Sequence, residues 1–262
     1  MTLQLARLPI DLPALARAAR ERGWTRAPRA AFDEGAALHH LLGEAFGPGA
    51  LQPFRLIVAP RARAGTLYAY TKATADELRS TAAMVGLPEA SELALPADRL
   101  ATKPMPETWT AGKRLGFDIR LRPVVRLAKS LPPPADRAGT QRHGFGAGAE
   151  VDAFLAAALR DPDPAVMGSA VRSREGVYGK WLADRLEGAA TVEAVRLVSF
   201  RRSRAARSGS AQEGPDAVLQ GTLVVGDPAI FADRLRRGVG RHRAYGYGMV
   251  LLRPPGRLAL GS

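Results

Sequence analysis

No cysteine occurs in the 262 residues, which excludes disulfides and thiolate metal sites. Aromatic residues are scarce, at 6%, and no apolar run approaches the ~20 residues of a membrane helix. The opening Met-Thr-Leu-Gln-Leu-Ala-Arg-Leu lacks the apolar h-region of a secretory signal. A soluble cytoplasmic protein is the resulting expectation. Lysine is also rare, limited to Lys72, Lys103, Lys113, Lys129 and Lys180. Acids are outnumbered, with 25 Asp and Glu against 38 Lys and Arg, a net charge of +13. The cations are therefore mostly arginine, whose planar, permanently charged fork suits phosphate. A polyanion is the natural partner, and nucleic acid ranks ahead of membrane because no long cationic amphipathic helix stands out.

What is present has a coarse two-fold plan. Leu3–Leu8 alternates as a first strand, and Asp11 caps a helix reaching about Arg22. Asp33 caps the clearest helix, in which Leu38, Leu41, Leu42, Ala45 and Phe46 repeat at helical spacing. At about 100° per residue, His39 falls on the border of that apolar stripe and His40 nearly opposite it. His39 is thus the histidine that can be partly desolvated and held in place for proton transfer. Residues 54–59 and 66–71 read as a hairpin, 74–85 as a helix, and Leu93–Leu95 as a last strand. Proline- and acid-rich residues 86–110 read as a connector.

The second half repeats the plan. Residues 113–125 alternate as a strand through Leu115, Phe117, Ile119 and Leu121, with Arg120, Arg122 and Arg126 along or just beyond it. A proline-rich loop with Arg142 and His143 follows, then a helix over 150–160 and another over 173–186. Strands are expected at 192–200 and 218–225, joined by an arginine-tipped loop carrying Arg201, Arg202, Arg204 and Arg207, shaped to grip a phosphate backbone. Asp227 caps a helix over 228–237 that delivers Gly238-Val-Gly-Arg-His-Arg-Ala-Tyr-Gly-Tyr-Gly248 and a final strand over 249–252. Glycines let a backbone turn its N–H groups toward phosphate. Gly238, Gly240, Arg241, His242, Arg243 and Tyr245 are therefore candidate nucleic-acid contacts, with the arginines Arg120, Arg122, Arg126, Arg142, Arg201, Arg202, Arg204 and Arg207. Trp24, Trp109 and Trp181 read as core or interface residues. Two ferredoxin-like α+β domains with antiparallel sheets follow, at 1–95 and 111–262.

This combination resembles the CasE-type CRISPR RNA-processing endoribonucleases of the RAMP superfamily. The resemblance rests on the histidine helix, on Gly112-Lys-Arg-Leu-Gly-Phe-Asp-Ile-Arg-Leu-Arg-Pro123, on Arg174-Glu-Gly-Val-Tyr-Gly-Lys-Trp-Leu182 and, most specifically, on the glycine loop. It implies binding of a CRISPR repeat hairpin and one cut without metal or cofactor, leaving a 2′,3′-cyclic phosphate. It also implies His39 as the catalytic histidine and retention of the product in an effector complex with other subunits. The family's tyrosine one turn before the histidine is Ala36 here, leaving Tyr68, Tyr70, Tyr245 or an arginine to replace it. A non-catalytic hairpin-binding subunit is the alternative. A nucleotide-binding enzyme is disfavoured, because the glycine loop lacks a Gly-Lys-Ser/Thr ending and precedes a strand.

Overall fold

The computed structural model describes residues 2–24, 32–131, 144–160, 173–207 and 210–255, with backbone alone at 204–207 and 210–212. The first half runs β1 (Gln4–Asp11), α1 (Leu12–Glu21), α2 (Glu34–Phe46), β2 (Phe54–Val58), β3 (Ala64–Thr71), α3 (Ala75–Val85), α4 (Glu89–Ala94) and β4 (Ala101–Pro104). The second continues with β5 (Arg114–Leu121), β6 (Val124–Arg126), β7 (Glu150–Asp152), α5 (Ala153–Arg160), α6 (Arg174–Leu186), β8 (Ala190–Arg207), β9 (Ser210–Val225), α7 (Pro228–Arg237) and β10 (Leu251–Arg253).

Two four-stranded antiparallel sheets result, ordered β2-β3-β1-β4 and β10-β5-β9-β8. Each places its first and third strands in the centre, the ferredoxin-like order expected from the sequence. The period-two alternation of β1 divides its side chains between two cores. Ala6, Leu8 and Ile10 face the helices of the first half, whereas Leu3 and Leu5 pack on the core of the second. β3 divides the same way, with Leu67 and Ala69 on one side and Tyr68 and Tyr70 on the other. The first sheet therefore presses its helix-free face against the second half. The buried Tyr70 hydroxyl crosses there to donate to the Val250 carbonyl at 2.9 Å.

Helix α2 forms where the sequence requires it. Asp33 accepts from the Ala36 N–H at 3.0 Å, satisfying one of the donors a helix start leaves open. Leu38, Leu41, Leu42, Ala45 and Phe46 are buried in the first core, each large side chain contributing roughly 1.5–3 kcal/mol.

Three elements differ from expectation. The last strand of the first sheet is Ala101–Pro104, and Leu93–Leu95 instead falls at the end of α4. An edge strand of four mostly exposed residues carries no hydrophobic alternation to announce it. The strand expected over 113–125 breaks into β5 and β6, and Glu150–Asp152 pairs with β6 before α5 begins. Finally, residues 201–207 are not a loop. β8 and β9 continue as a paired arm, with Arg201 opposite Asp216 and Arg204 opposite Glu213. Trp109 and Trp181 are buried in the second core. No helix among the described residues is long and apolar enough to cross a membrane.

Candidate active site

His39 is half-buried and His40 exposed, as their positions on the α2 wheel require. Burial, reinforced by the neighbouring charge of His40, pushes the His39 pKa below the ordinary histidine value of 6.5. Its imidazole is therefore neutral at pH 7, the form that accepts a proton.

The glycine loop of the second half reaches this histidine. Residues 243–245 form a short 3₁₀ turn lying against α2 and β2. The Tyr245 ring sits 5.0 Å from the His39 ring, tilted by 49°. The approach is close because position 35 has no side chain, as a Cβ on Gly35 would lie 2.6 Å from the Tyr245 carbonyl oxygen. Of the tyrosines left open to stand in for the residue missing at Ala36, Tyr245 is the one brought to the histidine. Tyr70 is committed to Val250, and Tyr68 packs on the second core. The rings continue in both directions, with Trp24 stacked on His40 at 5.6 Å and 17°. His40 lies 5.4 Å from His39, and His242 lies 6.3 Å from both Tyr245 and Tyr247. Trp24 thus packs against the first core and also joins this row.

The loop glycines allow close packing. Gly238 has φ +72°, and a Cβ there would clash with the Gly248 carbonyl and crowd Pro53. Gly240, at φ +77°, lies under the Trp181 ring. The Val239 N–H donates to Gly248 at 2.8 Å, the Gly248 N–H to Arg120 at 2.7 Å and the Tyr245 N–H to His242 at 2.9 Å. These three donors are spent within the fold. In the same loop, Arg241 bonds Glu150 and Arg243 donates to the Arg237 carbonyl.

The arginines divide into two groups. Arg122 is only 3% exposed and donates to the Ser203 carbonyl at 3.3 Å, so it is an internal brace and not an RNA contact at the surface. Arg120 is largely buried, bidentate to Asp216 at 2.8 and 2.7 Å, and stacked on Tyr247 at 4.5 Å, so its guanidinium is committed within the fold. Arg126, Arg201 and Arg202 are exposed. The Arg201 Nε donates to Asp216 at 2.8 Å and the Arg202 Nε to Glu213 at 2.9 Å. Arg142 and His143 lie outside the described residues, as do the side chains of Arg204 and Arg207.

Two buried acids that sequence reading missed hold this region together. Asp216, 4% exposed, joins Arg120 and Arg201. Burial alone would raise its pKa, but the two guanidinium groups overcome that and hold it below the ordinary value. Asp118 accepts from Gln220 at 2.7 Å, from Arg253 at 2.9 Å and, across the junction of the halves, from Arg55 at 3.3 Å. Glu34, in the first turn of α2, is lifted by burial against the pull of Arg120, Arg201 and Arg55. Charged residues of β2, β5, β8 and β9 therefore converge beside the start of the histidine helix. Among the described residues, no three His, Asp or Glu side chains are grouped to hold a metal ion.

Arg201 and Arg202 are strand neighbours, so they point to opposite faces of the arm. Arg201 shares its face with Asp216 and with the charges near α2. If RNA lies along this face, Arg201→Ala reduces the slope of log affinity against log salt by about one, the value of one phosphate contact. Arg202→Ala leaves the slope nearly unchanged. Equal slopes for both variants and wild type would show that the arm does not touch the backbone.

Comparison with known proteins agrees with the fold. A family model described as CRISPR associated protein matches residues 4–254. Thermus thermophilus Cse3 bound to an RNA representing a pre-cleavage complex superposes with a TM-score of 0.61 at 19% identity, covering 97% of this chain and 100% of that one. The CRISPR endoribonuclease Cse3 bound to a 19 nt RNA gives 0.60 at 20% identity, with coverages of 97% and 100%. The CRISPR-associated protein Cas6e from Escherichia coli K-12 gives 0.54 at 18%, with coverages of 96% and 99%. No protein of curated function matches the chain by sequence.

Proposed function

The chain belongs to the CRISPR-associated protein family, and from that premise we propose that it is an endoribonuclease that cuts CRISPR repeat transcripts beside their hairpin. The observation that carries the reading is the meeting of a half-buried, neutral His39 with Tyr245 at the junction of the two halves. Relatives of the same fold are a CRISPR endoribonuclease bound to RNA and an RNA complex poised before cleavage.

The chemistry uses what the site holds. The His39 imidazole removes the proton of a ribose 2′-OH, and the 2′ oxygen forms a bond to the adjacent phosphorus. The P–O5′ bond breaks, the leaving 5′ oxygen takes a proton from solvent water, and the proton taken by His39 returns to solvent. The products are a 2′,3′-cyclic phosphate and a 5′-OH. Tyr245 brings its phenol ring beside His39, and its O–H can donate to a phosphate oxygen as charge builds. Exposed arginines such as Arg201 hold the flanking backbone and add positive charge. The hairpin is read mainly by shape and backbone, as A-form RNA requires. The cut hairpin stays bound and enters an effector complex with other subunits.

The test is single-turnover cleavage of a repeat hairpin in EDTA across a range of pH. Cleavage requires neutral His39, so the rate falls as pH drops through the histidine's lowered pKa. A product ending in a cyclic phosphate is expected. Tight hairpin binding without cleavage would favour a non-catalytic RNA-binding subunit.

A further inference from the structure

A cleft of about 290 Å³ opens beside His39, between the C-terminal half of α2, the turn at 47–52 and Ala244 of the glycine loop. Its wall differs from the rest of this strongly basic protein, because none of the described residues lining it is arginine or lysine. The polar groups there are His39, His40, Glu44 and Gln52. A carboxylate repels phosphate but accepts hydrogen bonds from base N–H groups, and the Gln52 amide can both donate and accept. Glu44 is held in place by Arg22, and the His40 ring is held flat by the Trp24 stacked on it. Gly43 leaves the floor open, since a Cβ there would meet nothing within 4 Å.

We propose that this cleft is a nucleobase subsite, which takes the unpaired base adjoining the cut while His39 on its rim works on the neighbouring phosphate. The inference rests on the endoribonuclease reading and adds a specificity element to it. A flat, neutral, N–H-bearing base fits the cleft where a phosphate does not. Guanine is the preferred occupant, because its N1–H and exocyclic amino group can both donate to Glu44. Uracil is the poorest, since carbonyl oxygens flank its single N–H.

Gly43→Leu tests the subsite without touching the catalytic residue. Gly43 lies inside α2, so a leucine there suits the helix better than glycine does, and the variant melts at or above the wild-type temperature. The probe is a repeat stem-loop made uncleavable by a 2′-deoxy nucleotide at the cut, prepared with guanine, uracil or no base on each side of the cut in turn. Wild type binds the guanine RNA about ten-fold or more tightly than the abasic RNA, as expected for one stacked and hydrogen-bonded base. Gly43→Leu loses that preference. It weakens the guanine complex about ten-fold while changing the abasic complex by less than about two-fold, the non-additivity that marks a direct contact. The same loss on both RNAs, or on neither, overturns the subsite and leaves the endoribonuclease reading standing. Wild type that binds no repeat hairpin overturns that reading, and the subsite with it.

Discussion

His39→Ala is expected to slow single-turnover cleavage of a repeat hairpin about 10²- to 10⁴-fold, the usual worth of a positioned general acid–base group. Hairpin affinity should stay within a few-fold of wild type. The imidazole is neutral because of burial and the nearby His40, so its part lies in proton transfer more than in holding an anion. The side chain is half-buried at the edge of α2, with the leucines below it forming the core, so its removal opens no large cavity and the fold should survive. Cleavage at the wild-type rate would remove His39 from the reaction. Affinity lost in parallel with rate would make it a binding residue instead.

Asp216→Ala should destabilise the protein by about 3–5 kcal/mol, measured by urea unfolding. Asp216 is the buried acid between Arg120 and Arg201, and its removal leaves Arg120 largely buried without its bidentate partner. Breaking one side of such a pair costs far more than the intact pair contributes. The stabilisation also depends on pH. The folded state holds the Asp216 pKa below its ordinary value, so its contribution is complete above the unfolded pKa and is lost as pH falls through the lowered one. A change of less than about 1 kcal/mol would mean that Arg120 finds other compensation. The expected RNA defect is secondary, through an Arg201 that has lost its anchor.

Why the histidine is legible in the sequence and the acids are not follows from the physics of each. The α2 stripe is a periodic signal, so spacing alone assigns its border position, and His39 is half-buried as that position requires. The polar face of β5 carries Gly116, Asp118 and Arg120, with Arg122 just beyond it, and reads naturally as a cationic surface turned to RNA. Alternation marks such a face as polar but is silent on whether water or another element covers it. Here β2, β8, β9 and the glycine loop cover it, with Asp118 bonded to Arg55, Arg120 to Asp216 and Arg122 to the Ser203 carbonyl. The glycine loop is conspicuous for a similar reason, and its glycines are ambiguous in a similar way. Positive φ and close approach both require glycine, whether the neighbour is a phosphate or, as at Gly240, a tryptophan ring. Trp24 reads as core or interface alone because its partner His40 is distant in sequence. The length of the β8–β9 arm is hidden because serine, glycine and arginine residues do not announce a strand.

The most direct measurement is a structure of the protein bound to a repeat stem-loop with a 2′-deoxy nucleotide at the cut. One His39 ring nitrogen should then lie roughly 3 Å from where the 2′-OH would sit, with the scissile phosphate between α2 and Tyr245 and the arm's Arg201 on the flanking backbone. A scissile phosphate bound elsewhere on the protein, with His39 facing solvent and the junction empty of RNA, would contradict the proposed mechanism.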